Sequence, residues 1–366
     1  RTAFRGPQFL MAAVPAVPSE LTLQPFRHST LLLSTGIKSH IVQLAPPIGT
    51  PVKGTVLCVH GFPDTWYGFR HQLRPIASHG WHVVVPDQRG YGETQAPRKV
   101  SQYQMQELCA DMCSLMDALG LERVVLLGHD WGGQLVWNMA LQHAPRVAAV
   151  ASVCTPFYPS NPEKNPWDNM RAGAGRFDYQ VWYNMAEADM ELAEDPCYTV
   201  KCTIRGTGKE DNRRFIERAV DTKLMQAAPT AKGGMLKGMP PKDDCPRSEV
   251  LSEADLAYYT AQFSHSGYFG PVSWYRNVER NWRWMRSTAG QKVQQPSLMV
   301  SAGRDPVLKA SMVKSLRMHE WIPQLVHRHV EEAGHWVLQE KPEEVNRHIC
   351  SWLDTLPPIS SAYLSR

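Results

Sequence analysis

The stretch that most constrains this chain is Gly128-His129-Asp130-Trp131-Gly132, set between the apolar run Val124–Leu127 and a helical pattern that begins at Gly133. A short β run, a turn with glycines two residues either side of a reactive side chain, and a helix together make a nucleophile elbow. The sharp strand-to-helix turn crowds the backbone, so residues lacking a Cβ fit best beside it. The turn lifts the middle side chain above the sheet, next to helix N-terminal amides that favour negative charge. Here that side chain is a carboxylate, Asp130, where acyl transfer would need a hydroxyl. A carboxylate attacks saturated carbon and is left as an alkyl ester. The competing reading, a Gly-rich turn closed by a capping aspartate, accounts for the motif alone and not for the residues that follow it.

The flanking pattern extends in both directions. Two apolar runs between His28 and Ala45 flank Ser34-Thr35-Gly36 and read as a hairpin. Thr55–Val59 reads as a buried strand ending in His60-Gly61-Phe62-Pro63, and Trp81–Pro86 as another ending in Asp87-Gln88-Arg89-Gly90-Tyr91-Gly92. Helical spacing over Trp66–His79 between them makes a parallel β-α-β crossover. Ser101-Gln102-Tyr103-Gln104 has the form of a capping box. Behind it Met105, Leu108, Met112, Leu115 and Leu119 recur at helical spacing up to Gly120, the methionines serving as core filling. Val147–Val153 is the next strand, ending at Cys154-Thr155-Pro156. This alternation predicts an α/β fold with one mostly parallel sheet covered on both faces.

The rhythm stops over 157–290, where helical segments rich in Trp and Tyr surround a polar stretch, Gly206–Arg247, that reads as a long loop or lid. Strand signals resume at Pro296–Ser301 and Leu325–Val330. The expected organisation is a loosely held N-terminal arm at 1–25, a first part of the core at 26–156, an all-helical cap at 157–290 and a second part of the core at 291–366.

A net charge of +4 on 366 residues, with no dense Lys/Arg tract, argues against nucleic acid as a partner. No apolar stretch approaches the roughly 18 residues needed to span a bilayer, so no integral membrane segment is expected. Phe9–Val17 is too short and proline-broken for a signal peptide. The eight cysteines lack C-x-x-C spacing or paired-histidine context, so no metal is expected and the setting reads as reducing and cytoplasmic. The chain begins with Arg, and Met11 is a candidate natural start.

A nucleophile needs a base, and the base an orienter. Gly303-Arg304-Asp305 follows the strand Leu298–Ser301, and Gly334-His335-Trp336 follows the next strand, in the order nucleophile, acid, histidine. Open α/β sheets bind ligands beyond the carboxyl ends of their strands, so Asp130, Asp305 and His335 can converge. Singly, Asp305 could cap the turn before Pro306, and His335 is one of 14 histidines. Their joint occurrence after the right strands is far more specific. The amides of Phe62 and Trp131 are the expected oxyanion donors, and Phe62-Pro63 is a candidate cis bond.

With these residues in view, the chain resembles the soluble epoxide hydrolases of the α/β-hydrolase superfamily over about residues 26–356. The resemblance rests on the elbow through Gly133, the His60–Pro63 and Asp87–Gly92 motifs, Thr155-Pro156-Phe157, Phe177-Asp178-Tyr179-Gln180, Trp274-Tyr275-Arg276-Asn277 and Gly334-His335-Trp336. It implies an α/β-hydrolase fold with an inserted helical cap, no cofactor, and a small-molecule epoxide converted with water to a vicinal diol. It also implies that Tyr179 and Tyr275 donate to the epoxide oxygen, with Phe62, Trp131, Phe177 and Gln180 as substrate contacts. Tyr183, one helical turn after Tyr179, is the competing tyrosine.

A Trp-, Phe- and Met-rich chain with a large cap suggests an apolar tunnel for fatty-acid or aryl epoxides. Mammalian soluble members carry an N-terminal phosphatase domain, but no aspartate-based phosphatase motif precedes residue 50 here, so phosphatase activity is not expected of this chain. Leu364-Ser365-Arg366 falls short of the Ser-Lys-Leu peroxisomal type, with a peroxisomal location kept as an alternative. Monomer and homodimer both stay open. A haloalkane dehalogenase, with the Trp131 indole facing halide, is the alternative enzyme, and a ligand-binding receptor on this scaffold the alternative from another class.

Overall fold

The computed structural model describes residues 26–171 and 175–359. The expected arm at 1–25, Met11 and the C-terminal tripeptide lie outside the described residues. The strands are β1 (Arg27–Leu32), β2 (Lys38–Leu44), β3 (Gly54–Val59), β4 (Trp81–Pro86), β5 (Val124–His129), β6 (Val147–Val153), β7 (Ser297–Ala302) and β8 (Leu325–Val330). They form one sheet in the order β1-β2-β4-β3-β5-β6-β7-β8. β1 and β2 pair antiparallel, as does β2 with β4; every later pairing is parallel.

Every residue of β3, β4 and β5 is buried, which explains their near-continuous Val and Leu runs: a parallel strand covered on both faces has no solvent side on which to place polar residues. β1, at the edge, is mostly exposed. Strand order reverses at β3, which has β4 on one side and β5 on the other. That switch point opens a crevice at the carboxyl ends of β3 and β5. The loop His60–Pro63 and Asp130 emerge there side by side.

Three local expectations are corrected. The helical spacing at Trp66–His79 is split into a 3-10 turn, Trp66–Phe69, and α1 (Leu73–Ser78). Pro75 has no N–H for the carbonyl four residues earlier, so an unbroken helix cannot run through it. Ser101-Gln102-Tyr103-Gln104 forms no capping box: Val100–Tyr103 is a 3-10 turn, and α2 (Met105–Ala118) starts after Gln104, which makes no side-chain cap bond. The Met105 amide donates instead to Asn281 Oδ1 at 2.7 Å, so a residue distant in sequence satisfies the helix end.

The third correction concerns Gly206–Arg247, which is no simple loop. It carries helices Lys209–Glu217, Thr222–Gln226 and Pro229–Lys232. Their punctuation is orthodox: Asp221 accepts from the Lys223 and Leu224 amides, Pro229 opens the last helix, and Gly233 closes it at φ 69°.

All the described regular elements between β6 and β7 are helical. This cap is bonded to the core by buried and half-buried groups. Trp66 Nε1 donates to Tyr258 Oη at 2.7 Å, Tyr259 Oη to Asp64 Oδ1 at 2.8 Å and Trp336 Nε1 to the Thr203 carbonyl at 3.0 Å. The Thr207 amide donates to Glu340 at 2.9 Å. Among the described residues, no helix is long and apolar enough to cross a membrane.

Candidate active site

Asp130 stands between β5 and α3 (Trp131–Gln142) with φ 53° and ψ −124°, a conformation that strains a residue with a side chain by about 1–3 kcal/mol. The surroundings over-determine it. A Cβ on Gly128 would strike the Gly132 carbonyl, and one on Gly132 the Val59 carbonyl, so the turn closes only on glycine. The Asp130 carbonyl accepts from the Gln134 amide at 3.2 Å and from Thr155 Oγ1 at 2.7 Å.

The side chain of Asp130 faces the loop after β3. Its Oδ1 accepts from the Phe62 amide at 2.7 Å. A Cβ on Gly61 would run into both Asp130 Oδ1 and the Trp131 nitrogen, so carboxylate, loop and the first amide of α3 meet at one point. The Phe62–Pro63 bond is cis. His60 holds this loop. Its Nε2 accepts from the Gln88 amide at 2.9 Å, which leaves Nδ1–H to donate to the Gly61 carbonyl at 2.9 Å. Burial lowers the His60 pKa to about 4, so this neutral tautomer persists.

His335 bridges two carboxylates: Nε2 lies 3.5 Å from Asp130 Oδ2, and Nδ1 lies 2.8 Å from Asp305 Oδ2. Burial opposes charge on the imidazole, but the Asp305 and Asp130 carboxylates outweigh it and hold the imidazolium well above the usual histidine range. Burial likewise opposes charge on Asp130, and the His335 contact, the His129 ring and the Phe62 amide outweigh it, keeping this carboxyl below its usual range. Asp305 is 3% exposed. Its Oδ1 accepts from the Val307 and Leu308 amides at 2.9 and 2.8 Å. Against burial, His335 and these amides bring its pKa to about 2.

Two residues not singled out from the sequence fix the His335 backbone. His129 Nε2 donates to the His335 carbonyl at 2.8 Å, and Cys154 Sγ donates to the same oxygen at 3.5 Å. Ligand atoms of His129, Cys154 and His335 lie within 4.8 Å of one another. Both ring nitrogens of His335 face carboxylates, however, and the other two side chains are directed at its carbonyl. The trio therefore positions the histidine and presents no ligand set for a metal.

Tyr179, on the helix Asp178–Trp182, and Tyr275, at the end of the helix Phe269–Tyr275, face each other with ring centroids 5.9 Å apart. Tyr275 meets the rings of Phe62 and Trp131 edge-on at 5.2 and 5.1 Å. Gln180 Nε2 donates to Tyr179 Oη at 3.1 Å. Burial raises both phenols above their ordinary pKa, so both stay protonated. Tyr183 also packs here, 4.8 Å from Tyr275 and 5.1 Å from Phe62.

Two cavities meet at Asp130, Tyr179 and Leu308. The smaller, about 280 Å³, is lined by Trp131, Phe177, Gln180, Met105, Met170 and Met285 among others. The larger, about 480 Å³, includes Phe62, Tyr183, Tyr275, Arg304 and His335. Every residue expected to touch substrate thus borders one or the other. Met105 fills the core and also lines the smaller cavity, a double duty its helical spacing concealed.

Residues 54–189 match the alpha/beta hydrolase fold family model. Bifunctional epoxide hydrolase 2 of Sus scrofa is 37% identical over 346 residues, 93% of this chain and 58% of that protein. The chain thus spans little more than half the length of that bifunctional relative. Epoxide hydrolase A of Mycobacterium tuberculosis is 34% identical, with 89% of this chain and 97% of that protein aligned. The crystal structure of epoxide hydrolase A from Mycobacterium thermoresistibile superposes with a TM-score of 0.77 at 32% identity, covering 92% of this chain and 100% of the other. With an aspartate at the elbow and nearly the full length of the mycobacterial relatives matched, the chain belongs to the epoxide hydrolase family of the α/β-hydrolase fold.

Proposed function

We propose that this chain hydrolyses epoxides to vicinal diols through an alkyl ester on Asp130. The observation that carries the reading is a single arrangement. An ionised carboxylate at the elbow, 2.7 Å from the Phe62 amide and 3.5 Å from His335 Nε2, borders the same cavity as two protonated tyrosines.

Asp130 attacks one ring carbon, the C–O bond breaks, and Tyr179 or Tyr275 gives its proton to the departing alkoxide, which would otherwise be a very poor leaving group. Ester formation removes the negative charge of Asp130, one of the two anions that hold the proton on His335. The tyrosinate is then the stronger base and recovers its proton from His335. The neutral imidazole, oriented by Asp305, takes a proton from water as that water attacks the ester carbonyl. The Phe62 and Trp131 amides receive the oxyanion. On collapse the ester C–O bond breaks, the leaving alkoxide takes the remaining proton of the added water, and the diol departs with the Asp130 carboxylate restored and His335 protonated, as at the start.

The methionines, Phe177 and Val278 of the smaller cavity support apolar substrates, such as fatty-acid or aryl epoxides. We expect a higher kcat/KM for a trans-stilbene-type oxide than for glycidol, and the reverse order would remove the apolar assignment. All eight cysteines are free thiols, which supports a reducing, cytoplasmic setting.

One turnover with excess enzyme in ¹⁸O-labelled water tests the covalent route. The first diol should carry unlabelled oxygen from Asp130, with label left in the carboxylate. A labelled first diol means that water attacks the epoxide directly, and the ester route is then wrong. Halide release from haloalkanes, assayed alongside, separates this reading from a dehalogenase; the two tyrosines over Asp130 favour an oxygen leaving group.

A further inference from the structure

Beyond the epoxide chemistry, the cap contains a pair of thiols that the proposed reaction does not use. Cys202 lies near the end of the helix Pro196–Thr203, and Cys245 follows the turn Lys242–Asp244. Their sulfurs are 3.9 Å apart although the residues are 43 positions apart in sequence. They sit in a small apolar cluster with Tyr198, Phe215, Met225, Leu236 and Met239, separate from the main core. Cys245 is 4% exposed, whereas Cys202 borders the larger cavity beside Thr203 and Arg205. A small oxidant that enters the cavity therefore comes up against Cys202, with the Cys245 sulfur 3.9 Å from that of Cys202.

We propose that Cys202 and Cys245 form a dithiol modification site, which a hydroperoxide converts reversibly to a disulfide. The surroundings favour this over two inert buried thiols by dividing the roles. The Cys202 S–H hydrogen bond, set against burial and joined by the Arg205 and Lys201 charges, lowers the Cys245 thiol below its ordinary range, while the same contact and burial hold Cys202 as the thiol. Arg205 is itself anchored, donating to the Pro246 carbonyl at 2.9 Å and to Asp211 Oδ1 at 2.7 Å, with its guanidinium 3.9 Å from the Phe215 ring centroid. Its charge is thus fixed beside the pair, the setting in which a thiol gains reactive thiolate character.

The chemistry balances with the peroxide as the only co-reactant. The Cys245 thiolate attacks one peroxide oxygen, the O–O bond breaks, and a sulfenic acid and water (or an alcohol, from an organic hydroperoxide) result, the proton coming from the Cys202 S–H or solvent. The second thiol attacks the sulfenic sulfur, the S–S bond forms, and the S–O oxygen leaves as water. Two sulfurs are oxidised and one peroxide is reduced. The sulfurs must approach by about 1.9 Å to reach the bond length of a disulfide, a displacement on the scale of a side-chain rotation.

The cross-link would be felt at the proposed active site. Thr203, next to Cys202, accepts the Trp336 indole N–H through its carbonyl, and Trp336 adjoins His335. Drawing Cys202 toward Cys245 moves the wall that Cys202, Thr203 and Arg205 give to the larger cavity.

The test has two arms. The reduced full chain is treated with a small molar excess of hydrogen peroxide, remaining thiols are alkylated, and tryptic peptides are weighed without reduction. The expected product joins Cys202–Arg205 to Asp243–Arg247, two hydrogens lighter than the sum of the reduced peptides, and is lost on adding dithiothreitol. Recovery of both peptides alkylated and unlinked, or of Cys202 as sulfinic acid with Cys245 alkylated, overturns the proposal. This arm is independent of the substrate assigned above. In the second arm, kcat/KM for a long-chain epoxide falls several-fold on oxidation and recovers on reduction, while Cys245→Ser keeps its own rate through the same peroxide treatment. Complete cross-linking without a change in kcat/KM, or equal inhibition of Cys245→Ser, overturns the link to the cavity.

Discussion

Replacing Asp305 by Asn changes one atom and no volume, and the structure dictates what that atom does. Oδ1 of Asp305 accepts two backbone N–H bonds, from Val307 and Leu308, at 2.9 and 2.8 Å. An asparagine keeps both only with its oxygen in that place, which turns its NH₂ toward His335 Nδ1. The flipped amide would face two buried donors with a third, at about 1–3 kcal/mol for each unpaired amide. It should therefore be populated at about 3% or less by the Boltzmann relation for those energies. Held this way, the NH₂ forces Nδ1 to accept, so the neutral imidazole carries its proton on Nε2, facing Asp130. That tautomer cannot take a proton from water. Loss of a correctly oriented base costs about 10³–10⁴-fold, but only in the second step, because in the proposed route Asp130 attacks the ring without proton transfer to histidine.

We expect kcat of Asp305→Asn to fall about 10³–10⁴-fold. Alkylation should slow far less, so that the intact protein gains the mass of one epoxide and retains it. Asp305, with a pKa of about 2, is charged at every working pH, and the fault in the variant is a tautomer. Raising the pH should therefore not restore activity. The assay is rapid-quench turnover followed by intact mass. A variant within tenfold of wild type, or one that is slow with no adduct, refutes the tautomer argument.

Tyr179→Phe and Tyr275→Phe should each slow ring opening by about 10–100-fold, from the 1.5–3 kcal/mol of a hydrogen bond to a charged group, in single-turnover measurements with the fold intact by circular dichroism. A larger loss from Tyr183→Phe than from Tyr179→Phe would reassign the pair. Asp64 is buried, and burial, against the Thr65 amide and the Tyr259 hydroxyl, lifts its pKa to about 7, above an unfolded value near 3.9. The unfolded chain thus ionises first as pH rises, and wild type should lose stability, on the order of a few kcal/mol, between about pH 4 and 7. Asp64→Asn lacks this loss, so its Tm relative to wild type should climb from pH 5 to 8; a constant or shrinking difference would contradict the assignment.

The elbow and the strands were legible because their physics is local. A strand buried on both faces must be a run of apolar residues, and a turn in which carbonyls approach Gly128 and Gly132 needs glycine. Asp130, Asp305 and His335 were legible as a set, since each follows a strand that can be recognised on its own. The start of α2 was not, because its amide is satisfied by Asn281, a contact 176 residues distant in sequence. The short helices within Gly206–Arg247 were hidden by the Gly, Pro and Lys that delimit them. His129 and Cys154 act only through a carbonyl contributed by His335, and nothing in their own neighbourhoods marks that role. Tyr179 and Tyr183 lie one helical turn apart and both turn inward, so periodicity could not rank them; only the resemblance did.

The bonds from cap to core bear on how heat and traffic move through the molecule. Trp66 to Tyr258, Tyr259 to Asp64 and Asn281 to Met105, all buried, and Trp336 to Thr203, half-buried at the cavity wall, tie distant stretches of sequence together. Lifting the cap as one body would break all four bonds at once, each contributing about 0.5–1.5 kcal/mol once water replaces the partner, and would also expose the apolar surface packed around them. Opening on that scale should be rare. Cap and core should therefore melt in one transition, and molecules should pass in and out through the mouths of the two cavities, past side chains such as Met170 and Arg304, while the helices above stay seated. Selectivity should then be set at these two mouths, before a substrate reaches Asp130 in the proposed route.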